Sequence, residues 1–143
     1  MNDEYNLQRF ITAQDPVYEE ALGILRQGMM CTPYLEIIFP RLATARSDKA
    51  PDPYAIASLD EASAYLSSPI LGGRYRECIG VLQRLSDLSA RAVFGDDDAK
   101  KLHASLTLFS EASNDEFLLE TMFDVWFDGL LDEDTVNELN LIS

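Results

Sequence analysis

The chain is poor in the residues that most often carry chemistry. It has one histidine, His103, and two cysteines, Cys31 and Cys78, far apart in sequence. These give no zinc-ligand spacing. The run Asp96-Asp97-Asp98 lacks the glycine, the spacing and the closing glutamate of a calcium loop. No metal and no cofactor is therefore expected. No apolar run approaches the roughly 20 residues of a membrane-spanning helix, so no membrane partner is expected. The opening residues, MNDEYNLQRF, are polar and acidic, unlike a secretory leader. Two cysteines in such a chain are expected as reduced, buried thiols, and the predicted address is cytoplasmic.

Basic residues are also scarce. Eleven lysines and arginines face 25 aspartates and glutamates, a formal net charge of −14. The imbalance is uneven: residues 96–143 hold 13 of the acids and two of the bases. Such a field repels phosphate backbones, which argues against non-specific nucleic-acid binding. It suits either a solvated acidic surface or a basic protein partner.

What is present is enough apolar material for a core. With 143 residues, 47% of them hydrophobic, the sequence predicts one globular domain spanning residues 1–143. The pattern is helical almost throughout. Leu7, Phe10, Ile11 and Gln14 share a face. Asp15-Pro16 reads as a cap and first helical residue for Val17, Ala21, Ile24 and Leu25, with Gly28 as the stop. Thr32-Pro33 opens a short helix that Pro40 ends, although Leu35 to Phe39 is also compatible with a buried strand. Residues 43–53 form the longest loop. Ser58 and Glu61 make a capping box. Ser68-Pro69 and Gly72-Gly73 read as breaks before a helix carrying Tyr75, Cys78, Ile79, Leu82 and Leu85. A piece from Ser89 to Gly95 follows. The three aspartates then supply cap acceptors for a helix with Leu102, Leu106 and Phe109. Asn114 or Asp115 caps the next, Gly129 closes it, and Asp132 caps the last. The expected fold is all-α, with eight or nine short to medium helices in orthogonal or superhelical packing.

Candidate chemistry is sparse. His103 and Ser105 point to different helix faces and form no local dyad. Ile70 to Arg76, ILGGRYR, lacks both the G-x-G-x-x-G fingerprint and the phosphate-loop lysine. Its glycines and Arg74 suit an anion, but a tight turn between helices is the plainer reading. Trp126, with Phe123 and Phe127, reads as core or as a partner-facing stripe.

Several stretches together resemble one bacterial family. They are YNLQRFITAQDPVYEEAL, IIFPRL, YAIASLDEASAYLSSPILGGRYRECI, VFGDDDAKKLHASLTLF and FDGLLDEDTVNEL, running from Tyr5 to Leu139 in order. The family is domain of unknown function 1810, sometimes mislabelled calpastatin-like. The resemblance implies a small all-α domain and no established activity. The family's most distinctive block is similar to G-x-K-x-x-H-W-M-W-F-I-F-P-Q-L. Here its glycine is Gly28, its lysine position holds Met30 and its histidine position Pro33. Its tryptophan positions hold Tyr34 and Glu36, and its glutamine position holds Arg41. The G-L-G that usually follows is Thr44, Ala45 and Arg46. In a later block, K-L-x-S-S-M-T-L-F, the first serine is Ala104. Gln14, Arg74, Lys101, Ser105 and Thr107 match the family pattern.

A lysine, an imidazole and two indoles would suit an anionic, planar, nucleotide-like ligand. In this chain the first two are gone and a carboxylate replaces an indole. The preferred reading is an uncharacterised binding or interaction module with a diverged family pocket. One alternative is a small anionic-ligand binder or enzyme using Gln14, Arg74, Lys101, Ser105 and Thr107. A second is an acidic protein that binds a basic partner. Glu36 itself is expected to face solvent or a subunit interface.

Overall fold

In the computed structural model, the described residues are 5–29, 32–43, 54–85, 87–113 and 117–142, without the side chains of 32, 33, 117 and 142. Among them nine helices follow one another: α1 (Gln8–Gln14), α2 (Tyr18–Arg26), α3 (Thr32–Ile38), α4 (Leu59–Ser67), α5 (Pro69–Arg84), α6 (Ala90–Phe94), α7 (Asp96–Ala112), α8 (Phe117–Trp126) and α9 (Glu133–Ile142). The all-α expectation holds, and the Leu35–Phe39 segment is helix through Ile38 rather than strand.

The two longest helices organise the rest. α7 packs against α3, α4, α6, α8 and α9, while α5 packs against α1, α2, α4 and α8. The core between them is rich in rings: Tyr65, Tyr75, Phe10, Phe39 and Phe109 are all fully buried. Tyr75 and Phe109 meet at 4.5 Å between centroids, and Phe10 meets Tyr65 edge-on at 5.1 Å. Burying each such side chain stabilises the fold by about 1.5–3 kcal/mol, so this cluster fixes how α4, α5 and α7 sit together.

Local signals set most boundaries. Ser58 caps α4 by accepting from the Glu61 N–H at 3.1 Å, and Glu61 reaches back to the Ala57 N–H at 3.0 Å. Glu61 also pairs with Arg9 at 2.7 Å, joining α1 to the start of α4. Asp132 caps α9 by accepting from the Thr135 N–H at 3.1 Å. Ser89 caps α6.

Three boundaries differ from the sequence reading. Gly72 and Gly73 do not break the chain, because α5 starts at Pro69 behind a Ser68 cap and runs through both. A Cβ on Gly72 would lie 2.1 Å from the Leu66 carbonyl oxygen, so the glycine lets α5 begin directly against the end of α4. Its N–H is bonded to the Ser68 carbonyl at 2.8 Å and is not offered to an anion. Asp15 does not cap α2, which starts at Tyr18 with no side-chain cap. Its carboxylate instead accepts a charge-assisted bond from Arg74 at 2.7 Å, a stronger partner than a neutral N–H. The three aspartates cap nothing either: Gly95 holds the cap position, and they fill the first turn of α7, where the helix dipole favours them. The Asn114 and Asp115 cap, Cys31, and residues 44–53 of the predicted loop lie outside the described residues.

Two hydrogen bonds tie down the chain on either side of that loop. The Ala43 N–H donates to the Ile56 carbonyl at 2.7 Å and the Ile56 N–H to the Arg41 carbonyl at 2.8 Å. The resulting bridge holds Arg41 and Leu42 in place beside α7.

Candidate functional site

Glu36 lies on α3 between inward-facing neighbours. Leu35 and Ile38 are buried, and Phe39 with Pro40 ends the helix inside the core. That packing sets the rotation of α3 and directs Glu36 toward α7. Its Oε1 sits 3.4 Å from Lys101 Nζ and 3.8 Å from an Arg41 guanidinium nitrogen. Lys101 also lies 3.7 Å from Asp98 one turn earlier on α7. Glu36 is therefore half-exposed and ion-paired, neither fully solvated nor free.

Both cations that Glu36 engages line a cleft of about 640 Å³ between α7, α9 and the Arg41–Leu42 segment. α7 contributes Asp97, Lys100, Lys101 and Ala104. α9 and its lead-in contribute Asp132, Asp134, Thr135 and Glu138. On α7 the spacing 97, 100, 101, 104 is one helical face, and 134 and 138 share a face of α9. The lining thus holds three cations and four carboxylates, with Glu36 behind two of the cations.

The matched family residues do not all meet there. Lys101 lines the cleft. Thr107 holds the α9 wall without lining the cleft: its hydroxyl donates to the His103 carbonyl at 2.8 Å and accepts from the Asp132 N–H at 2.9 Å. Asp132 in turn accepts from the Thr135 hydroxyl at 2.7 Å, which leaves that carboxylate partly occupied. Ser105 is fully buried, its oxygen 3.0 Å from the Tyr75 hydroxyl.

Gln14 and Arg74 form a separate network. The Gln14 amide donates to the Ile37 carbonyl at 2.7 Å and the Tyr65 hydroxyl at 3.0 Å, and its oxygen accepts from Arg74 at 3.3 Å. Arg74 also stacks its guanidinium over Tyr18, 4.9 Å from the ring centroid. Tyr18 donates to the Glu77 carboxylate. Burial pushes the Tyr18 and Tyr65 hydroxyls well above the usual phenol range, and the Cys78 thiol up to about 12. All three groups are neutral at physiological pH. Cys78 is a free, buried thiol without thiolate character.

Of the positions expected from the sequence to have diverged, Arg41 and Ala104 line the cleft. Ala104 gives that part of the wall a methyl group. Tyr34 is half-buried and donates to the Glu20 carboxylate at 2.8 Å, closing α3 against α2. Met30 and the Thr44–Arg46 positions lie outside the described residues, as does the side chain of Pro33. His103 stacks on Phe127, 4.1 Å between centroids, and binds the Leu130 carbonyl at 2.7 Å. Trp126 is partly buried and donates to the Leu88 carbonyl at 3.0 Å. Both have structural partners. Among the described residues no group of three or more His, Cys, Asp or Glu is placed to share a metal ion, and no helix is long and apolar enough to cross a membrane.

The sequence reading missed Asp97, Lys100, Asp132, Asp134, Thr135 and Glu138 as cleft residues. The 97/101 and 134/138 spacings were visible. The packing of α9 across α7, which sets them face to face, was not.

A family model described as "Protein of unknown function (DUF1810)" matches residues 4–139. The chain is 33% identical to the conserved hypothetical protein Rv1873 from Mycobacterium tuberculosis, whose crystal structure is known. The two superpose with a TM-score of 0.88, covering 96% of this chain and 99% of that one. No curated protein matches.

Proposed function

Because the chain belongs to the family described as Protein of unknown function (DUF1810), we propose that it is a binding module whose family pocket has diverged away from anionic ligands. One observation carries this reading: the Glu36 carboxylate lies 3.4 Å from Lys101 and 3.8 Å from Arg41, two of the three cations lining the cleft. An anion entering there competes with a covalently tethered carboxylate for both charges. It also meets the four carboxylates of the cleft wall. The family's lysine and histidine positions hold Met30 and Pro33, so neither restores positive charge. A cytoplasmic address belongs to the same reading and rests on Cys78 being a free thiol. Titration with inorganic phosphate tests the proposal. The native chain should show no thermal stabilisation at millimolar phosphate, and Glu36→Gln should gain it. Stabilisation of the native chain that disappears in Lys101→Ala would overturn the reading.

The alternative of a nucleotide-like binder or enzyme built on Gln14, Arg74, Lys101, Ser105 and Thr107 has weaker support. Only Lys101 reaches the cleft, and the polar atoms of the other four are engaged in internal hydrogen bonds. A basic partner has one feature in its favour. Leu130 and Leu131 are exposed beside Asp128, Glu133 and Asp134, a combination that suits a basic amphipathic peptide. Binding of such a peptide must weaken steeply with salt for that reading to stand.

A further inference from the structure

We infer that the cleft between α7 and α9 is a site for a small zwitterion of the amino-acid or short-peptide type. The inference rests on the reading that Glu36 has closed the cleft to simple anions, and it names what the altered site takes instead. The argument is the arrangement of charge. Arg41, Lys100 and Lys101 lie on one side of the cleft, with Asp97 on the same face of α7, and Asp132, Asp134 and Glu138 lie on the α9 side. Glu36 engages Arg41 and Lys101. Lys100 is left as the cation for a carboxylate: among the described residues it makes no ion pair, and neither does Asp134 on α9. Leu42 and Ala104 give the lining an apolar share.

With Glu36 counted, five carboxylates face three cations, so an anion is opposed by most of the charge at the cleft. A cation is opposed chiefly by Lys100, because Glu36 engages Arg41 and Lys101. A guest with an ammonium at one end and a carboxylate at the other matches both walls. The volume of about 640 Å³ admits a guest larger than a single ion. Lys100 and Asp134 are exposed, so the attraction is screened and the binding salt-sensitive.

Dialanine is the probe, titrated into the full chain at low salt and followed by amide NMR shifts. Its N-acetyl form, which keeps only the carboxylate, and its amide, which keeps only the ammonium, are the controls. Saturable shifts at residues 97–104 and 132–138 are expected with dialanine. Each blocked form should bind roughly tenfold more weakly, with Lys100→Ala and Asp134→Asn weakening dialanine by about three- to tenfold at unchanged Tm. No saturation by about 20 mM dialanine, or blocked forms that bind as well as the parent, would overturn the inference. The phosphate titration separates the two readings, because its Glu36→Gln comparison reads the Lys101 and Arg41 charges, whereas Asp134→Asn and the blocked dipeptides read the α9 wall. A chain that gains phosphate on Glu36→Gln but ignores dialanine keeps the functional reading and loses this one.

Discussion

Glu36 Oε1 and Lys101 Nζ lie 3.4 Å apart although 65 residues separate them in the chain. The pair joins a position expected from the sequence to have diverged to a lysine expected to match the family pattern. Both side chains are partly exposed, so the pair adds only about 0–1 kcal/mol to stability. Its consequence is for the cleft, where Glu36 engages Lys101 and Arg41, two of the three cations of the lining.

Gln14 is expected to be a structural residue. It is 1% exposed and joins α1, the end of α3, Tyr65 and Arg74. Gln14→Leu leaves the Ile37 carbonyl and the Tyr65 hydroxyl without their partner, at a cost of about 1–3 kcal/mol. Thermal melts should show a Tm lowered by roughly 2–10 °C, with dialanine and phosphate binding unchanged in the folded protein. An unchanged Tm combined with lost ligand binding would return Gln14 to the site.

The two adjacent glycines of α5 should respond in opposite ways. Gly72→Ala drives a methyl to within 2.1 Å of the Leu66 carbonyl oxygen and to 2.9 Å of its carbon, so backbone must move. A loss of more than about 2 kcal/mol is expected in urea denaturation. Gly73 is exposed, helical and has open space where its Cβ would stand, so Gly73→Ala should stabilise by about 0.5–1 kcal/mol. Equal effects at both sites would contradict α5 running through the pair.

These glycines show what local sequence signals conceal. A Gly-Gly pair after Ser-Pro reads as a break because glycine disfavours helix, yet the carbonyl that demands Gly72 belongs to the preceding helix, and only packing reveals it. Signals within a single turn were legible: Ser58 with Glu61, Asp132 before α9, Pro40 after α3. The all-α class was legible from periodicity and from the family resemblance alike. The candidate cleft was not. Its residues come from α7, α9 and the Arg41–Leu42 segment, and the side-chain pattern of each reads alone as an ordinary solvated face. Asp15 illustrates the same limit, since its partner Arg74 is 59 residues away.

Stability should fall at alkaline pH. Burial raises the Cys78 thiol from near 9 to about 12 and raises Tyr18 and Tyr65 above their usual 10. These groups stay protonated in the folded chain while the unfolded chain ionises them, so unfolding is favoured as pH rises above about 9. By pH 10 the Cys78 share is on the order of 1 kcal/mol. Urea denaturation at pH 8, 9 and 10 should show that decline, and Cys78→Ala should flatten it. A Cys78→Ala variant with the same pH slope as the native chain would rule out a neutral, buried thiol.

The role of Glu36 is tested most directly by isothermal titration of inorganic phosphate, at low salt, into the native chain, Glu36→Gln and Glu36→Gln/Lys101→Ala. Removing the carboxylate should tighten phosphate binding by about three- to tenfold, and removing Lys101 as well should abolish that gain. Phosphate that binds the native chain as tightly as Glu36→Gln, with or without Lys101, would show that Glu36 does not guard the cleft.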